Sequence, residues 1–447
     1  MGTRFRSYQP DQPFLLPPSP SEWLSEDHLA YFIAEMVDQL DLAAFYARYE
    51  GDGRRNSPYE PSMMLKVLVY AYATGVFSSR KIARKLEEDV AFRVLSAGNF
   101  PDYRTINRFR QQHLEEFQDL FVQLVRMARE MKLLKLGTLS VDGSKVRANA
   151  SKHKAMSYGR MKEEEERLQS EIADLLKQAE ATDESEDNQY GPDKRGDELP
   201  DELQRREQRL KQIQAAKRRL EDRQREADRA AGRSDDDGDY ASGVRPQGGR
   251  SKRKRKFGEV PDKQQENFTD PESRIMKTGD GFQQCYNGQA AVDGETQLIV
   301  ANALEQNAAD NSFLLPMTEA ARANAKRRPI RVLADAGYGS EANFSNLREL
   351  KIAGYVSLGR EGKAAREVGE QYPATLAMKK RLASKRGKAW YKRRKAMVEP
   401  VFGWIKEALG FRRFSLRGLE KASGEWNLIC TAINLRRMRV LSGTAAA

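Results

Sequence analysis

Ile330-Arg331-Val332-Leu333-Ala334-Asp335-Ala336-Gly337-Tyr338-Gly339-Ser340 is an apolar run that stops on an acid and continues into glycines. So short a run of Val, Leu and Ile reads as a buried strand, and Asp335 stands where that strand leaves the core. Thr138-Leu139-Ser140-Val141-Asp142-Gly143-Ser144-Lys145 repeats the design, with Asp142 at the equivalent place. A third acid, Glu399, lies in a basic helical segment and is followed at once by Pro400. Either aspartate alone is an ordinary turn residue. Two Asp and one Glu converging on one point, in a chain with only three histidines, make the oxygen ligand set of a hard cation such as magnesium. That set points to metal-assisted phosphodiester chemistry.

Around these strands the pattern is α/β from about residue 270 onward. Gln289 to Val292 and Leu298 to Ala303 predict two strands joined at Asp293-Gly294, a favoured hairpin turn. A helix near Phe313 to Ala325 leads into the Asp335 strand, and another strand spans about Tyr355 to Leu358. Glu399 falls in a helix, where Pro400 suits a first turn or a kink. Lys406, seven residues on, shares a face with Glu399 if that helix continues.

Residues 151–265 interrupt this pattern. Two highly charged stretches, about Arg160 to Ala181 and Leu199 to Ala231, carry Met161, Leu168 and Leu175, and Leu203, Leu210, Ile213 and Leu220, near heptad spacing. That spacing predicts a helical hairpin. The run Lys252-Arg253-Lys254-Arg255-Lys256 either grips a phosphate backbone or is a solvated linker. Upstream, about Glu22 to Leu134 reads as helical, with Met63 to Tyr72 too apolar for anything but a buried helix. Asp102 caps a helix running to about His113, with Ile106 and Phe109 on its inner side. Arg104, Arg108 and Gln111 lie on another side, where they either reach phosphates and base edges or are simply solvated.

The chain has 447 residues, 39% of them hydrophobic, enough for two or three domains with real cores. Its 77 basic against 65 acidic side chains leave +12, which favours a polyanionic partner. Cys285 and Cys430 form no CxxC pair, so no disulfide framework or cysteine zinc site is indicated, and lone thiols suit a reducing cytoplasm. The first twenty residues lack a signal-peptide core, and no apolar stretch approaches membrane-spanning length. The expectation is a cytoplasmic protein with no membrane partner.

The acidic blocks resemble those of the DDE transposases of bacterial insertion sequences. The first block matches as Ser140 to Lys145 and the second as Ala334 to Ser340. Tyr391, Arg394, Glu399 and Lys406 are similar to the Tyr-Arg-Glu-Lys signature of one large branch. Two residues separate Tyr391 from Arg394 and six separate Glu399 from Lys406, as in that signature. Four separate Arg394 from Glu399 where the signature has three, so Arg394 and Lys395 both compete for the arginine's place. The likeness extends to the helical N-terminal region and to Tyr286 to Asp293.

This resemblance implies an α/β ribonuclease-H-like catalytic domain with a large helical insertion, preceded by an all-α N-terminal domain. The boundaries would be 1–134 for the DNA-binding helical domain, 135–150 and 266–440 for the two parts of the catalytic domain, and 151–265 for the charged hairpin. It implies two Mg²⁺ ions, replaceable by Mn²⁺ and about 4 Å apart, with Asp142 bridging both and Asp335 and Glu399 each completing one coordination sphere. Arg104, Arg108, Tyr391, Arg394 and Lys406 would contact DNA. The partners implied are double-stranded DNA, as terminal inverted repeats and as target, and a second copy in a synaptic dimer. Two other readings stay open: a structure-selective nuclease of the same fold without strand transfer, and a catalytically inactive DNA-binding repressor.

Overall fold

The computed structural model describes residues 20–49, 57–190, 201–233, 256–359 and 369–445. The chain divides into two compact units, residues 1–146 with 286–447, and residues 147–285. The first opens with helices α1 (Leu29–Asp38), α2 (Ala43–Ala47), α3 (Pro61–Ala73), α4 (Ser79–Glu88), α5 (Val90–Ser96), α6 (Tyr103–Gln112) and α7 (Leu114–Glu130). Pro61 sits in the first turn of α3, where a missing N–H leaves nothing unpaired, and Leu65 and Val67 to Val69 behind it are fully buried. The α6 N-terminus is capped as its sequence requires: the Asp102 carboxylate accepts the Thr105 N–H at 2.7 Å. Strand β1 (Thr138–Arg147) follows.

The second unit contains β2 (Ala155–Ser157), α8 (Tyr158–Tyr190), α9 (Asp201–Ala230), β3 (Gln265–Asn267) and β4 (Arg274–Thr278). Met161 and Leu168 of α8 and Ile213 and Leu220 of α9 are buried against one another with Val260. Of the other expected seam residues, Leu203 is buried and Leu175 and Leu210 are half-buried. Glu266 of β3 is buried between Arg219 and Arg223 of α9, with the Arg219 Nε at 2.7 Å. Of the basic run 252–256, only Lys256 lies among the described residues.

Strand β5 (Gly281–Asp293) leads back to the first unit, which continues through β6 (Ile299–Glu305), α10 (Leu314–Ala325), β7 (Arg331–Ala334), α11 (Glu341–Glu349), β8 (Ala353–Val356), α12 (Pro373–Ala383), α13 (Lys385–Lys392), α14 (Arg394–Gly403) and α15 (Leu419–Ala445). Its sheet runs β6-β5-β1-β7-β8; β5 and β6 are antiparallel, while β1, β7 and β8 are parallel. The Asp293-Gly294 turn is locked onto the start of β1. Asp293 accepts the Leu136 N–H at 3.1 Å and the Thr296 hydroxyl at 2.6 Å, and Gly294 N–H donates to Thr138 O at 2.7 Å. Strand β8 lies two residues earlier than the sequence predicts, because its partner β7 ends at Ala334 and the last shared rung is Val356.

Helix α15 closes the unit by packing on α3, α7 and β6. Its buried Trp426 donates to Gln289 O at 3.2 Å and lies flat on β5 at Gly288, where a Cβ would stand 2.9 Å from the ring. Only glycine permits that approach.

Candidate active site

Parallel pairing sets the two aspartates side by side. Val141 of β1 is in register with Ala334 of β7, so Asp142 and Asp335 each directly follow the last paired residues of neighbouring parallel strands, which lie about 4.8 Å apart. Asp142 Oδ1 accepts its neighbour's N–H, from Gly143, at 2.9 Å. Asp335 caps the turn Ala336–Tyr338 by accepting the Gly337 N–H at 2.8 Å. Burial pushes the Asp142 carboxyl up to about 6; the Arg394 charge and the Gly143 N–H pull it down, and Asp335 adds to the rise.

Behind these strands lies a polar layer that sequence reasoning missed. Asp310 Oδ1 accepts from Asn287 Nδ2 and Gln289 Nε2, both at 2.7 Å, and lies 3.4 Å from Lys145 Nζ. The Tyr338 hydroxyl donates to Gln289 Oε1; burial, then Asp310, Asp142 and Asp335, push that hydroxyl far above its ordinary range. A Cβ on Gly143 would stand 2.3 Å from Gln289 Nε2 and 2.8 Å from Asp310 Oδ1, so the glycine after Asp142 is required by this layer. Asn287 and Gln289 carried a usable signal, two amides at alternate positions in an apolar strand. Asp310, in a connecting segment, carried none.

Glu399 arrives on α14, in which Arg394 is buried and Lys395 exposed. Arg394 Nη1 donates to Asp142 Oδ2 at 3.1 Å, and its Nη2 stands 3.8 Å from Glu399 Oε1. Pro400 lies in the second turn of α14, not the first. The Ala396 carbonyl that it leaves without a helical partner accepts Gln297 Nε2 at 3.1 Å, so the helix continues. A π-helical turn, Trp404–Ala408, follows, and there Lys406 Nζ donates to the Lys145 carbonyl at 2.8 Å, three residues beyond Asp142. Tyr391 lines a basic cavity of about 420 Å³ with Lys388, Lys392, Arg394 and Lys395. A larger cavity of about 650 Å³, lined by Phe32, Trp404 and Ile433, takes in none of the three acids. Trp404 is 47% exposed beneath the Arg436 guanidinium.

The donor set suits a hard divalent cation: carboxylates at the ends of two neighbouring strands, and a spot between Asp142 and Glu399 that already holds a positive guanidinium. Among the described residues no three acids, histidines or cysteines are gathered into a ligand cluster, and Arg394 stands between two of the acids. Arg104 and Arg108 belong to α6, not to this site; both are exposed, and Arg104 Nε rests on the Tyr103 hydroxyl at 3.2 Å. Their helix neighbour Arg110, unremarked in the sequence, turns inward and is buried.

Residues 252–435 match the family described as the transposase DDE domain, and residues 18–112 match a transposase domain family, DUF772. The chain belongs to the DDE transposases of insertion sequences. The fold of this family is ribonuclease-H-like, with which the mixed sheet is compatible, and its members act on DNA with divalent metal ions. In this transposase the two matched segments take in Glu399 and Asp335, whereas Asp142 and β1 fall between them. No curated protein and no solved structure matches the chain significantly. No helix of the described residues is long and apolar enough to cross a membrane.

Proposed function

We propose that this transposase binds the terminal inverted repeats of its element, cleaves the 3′ ends and joins them to target DNA. Asp142, Asp335 and Glu399 would hold two Mg²⁺ ions, or Mn²⁺ in their place. The observation that carries this reading is the placement of Asp142 and Asp335 directly after the paired Val141 and Ala334, with Asp142 and Glu399 joined through one guanidinium. Bound divalent ions supply activation of a water or a 3′-hydroxyl and stabilisation of the leaving oxygen. The chain's part is positional: the strand register fixes two carboxylates, α14 brings the third, and Tyr391, Arg394 and Lys406 of the Tyr-Arg-Glu-Lys signature hold phosphates near them. The helical N-terminal domain reads the repeats through α6, the hairpin of residues 151–265 is an insertion in the catalytic domain, and two copies pair the ends.

The test is cleavage of linear DNA carrying the flanking repeat, with and without Mg²⁺, by the wild type and by Asp335→Ala and Glu399→Ala. Each variant should lose 3′-end cleavage by about 10³-fold while still binding the repeat. Wild-type binding with no metal-dependent cleavage would overturn the proposal in favour of a repressor. Cleavage without a joined product from precleaved ends would leave a nuclease.

A second expectation concerns α6. Replacing Arg104 and Arg108 by Ala should each lower the slope of log affinity against log salt by about one, as loss of a phosphate contact does. An unchanged slope in an anisotropy titration would remove these residues from the DNA track.

A further inference from the structure

The Arg394 guanidinium occupies the ground that a cation between the acids must take. Of the Asp142 carboxylate, Oδ1 is held by the Gly143 N–H, and Oδ2 receives Arg394 Nη1 at 3.1 Å. The other Nη lies 3.8 Å from Glu399, and the buried Nε has no partner. A divalent ion bonded directly to Asp142 Oδ2 would stand within a few ångströms of this guanidinium, with one carboxylate between two cations. Both cations would then draw on the one oxygen, Asp142 Oδ2, and repel each other across it. Arg394 also lines the basic cavity shared with Tyr391 and Lys392, and its unused Nε donor gives the planar fork a second way to bind. A phosphate in that cavity can take two parallel N–H bonds from the fork.

We propose that Arg394 and a divalent ion exclude one another at Asp142, and that a DNA phosphate opens the site by drawing the guanidinium away. The inference rests on the metal-ion reading above. It makes Arg394 a positioning residue that keeps the free transposase unloaded and couples metal loading to arrival of DNA. By linkage, the ion tightens DNA by the factor by which DNA tightens the ion.

The experiment measures Mn²⁺ binding to the full-length protein by the electron paramagnetic resonance of free Mn²⁺. It is run with and without a duplex of the element's terminal sequence. Signal that persists in Asp142→Ala with the same duplex is subtracted, which removes Mn²⁺ held by DNA or elsewhere on the protein. Without DNA, Arg394→Gln should bind the Asp142-dependent ion about tenfold more tightly than the wild type, within the usual range of coupling between two sites. DNA should tighten the wild type by a similar factor and leave Arg394→Gln unmoved, while Arg394→Lys, which keeps the charge, stays near the wild type. Asp142-dependent binding of equal affinity in wild type and Arg394→Gln, indifferent to DNA, would overturn the exclusion and leave the metal-ion reading standing. Absence of Asp142-dependent binding from every protein, with and without DNA, would overturn both. If Arg394→Gln does not fold, the wild-type arm decides alone, since no tightening by DNA refutes the proposal.

Discussion

Asp142→Asn is expected to abolish end cleavage, by about 10³-fold or more, and at the same time to make the metal-free protein more stable at pH 7. Both effects have one source. Burial raises the Asp142 carboxyl to about 6 despite the Arg394 charge and the Gly143 N–H, so the folded state binds this proton more tightly than the unfolded chain does. Its contribution to stability is therefore fully present below about pH 4 and is lost as pH rises through about 6. At pH 7 the ionised group stands at a cost of roughly 1–2 kcal/mol after allowance for its partial exposure, and asparagine removes that cost. Arg394 is not stranded by the change, since Glu399 remains 3.8 Å from its Nη2. Urea titrations in chelator at pH 7 and pH 4 decide the matter: the gain should be present at the first and absent at the second. A variant less stable than wild type at pH 7 would mean that the Arg394 pair outweighs desolvation. At subsaturating Mg²⁺, wild-type cleavage should itself climb as pH passes about 6, because an ionised carboxylate is the metal-binding form.

How far the sequence carried depended on whether the determining contacts were local. A short apolar run ending on an acid is complete within a few residues, so Asp142 and Asp335 stand out as candidates without the structure. Their adjacency does not, because the Val141–Ala334 rung joins residues far apart in the chain. Spacing left Arg394 and Lys395 as equals. One step of about 100° around α14 separates them, and the structure buries the first against Asp142 and exposes the second. Pro400 was placed at a first turn or a kink on local preference alone. What keeps α14 going is Gln297, about a hundred residues upstream, donating to the carbonyl that proline leaves unbonded. Asp310 has no pattern around it at all, yet it collects the amides of β5 behind Gly143.

The largest loss of stability should come from Glu425→Ala, in a buried network away from the acids. Glu425 Oε1 accepts the Tyr72 hydroxyl at 2.7 Å and lies 3.7 Å from Arg110 Nη1, while Oε2 accepts the N–H groups of Ser415 and Leu416 at 2.8 and 3.1 Å. Arg110 Nη1 also donates to the Tyr72 hydroxyl and to Phe77 O, both at 2.9 Å. Glu425, Tyr72 and Arg110 are almost wholly buried, so α3, α6 and α15 meet at one charge pair with no water to replace a missing partner. Alanine at 425 leaves a buried guanidinium uncompensated and several donors unpaired, a change that costs about 3–5 kcal/mol. Arg110→Met alone should cost a similar amount. The double variant Arg110→Met with Glu425→Ala should cost less than the two singles summed, because neither charge is then stranded. Chemical denaturation of the four proteins measures this, and single losses below about 1 kcal/mol would show that the network is not what fixes these helices. If α6 reads the terminal repeats as proposed, the consequence reaches DNA binding through that helix. Arg110 anchors that helix from inside while Arg104 and Arg108 project from its exposed side. Glu425→Ala should therefore weaken binding of the terminal repeat without removing any group that touches it, and the double variant, with α6 seated again on apolar contacts, should recover much of that binding.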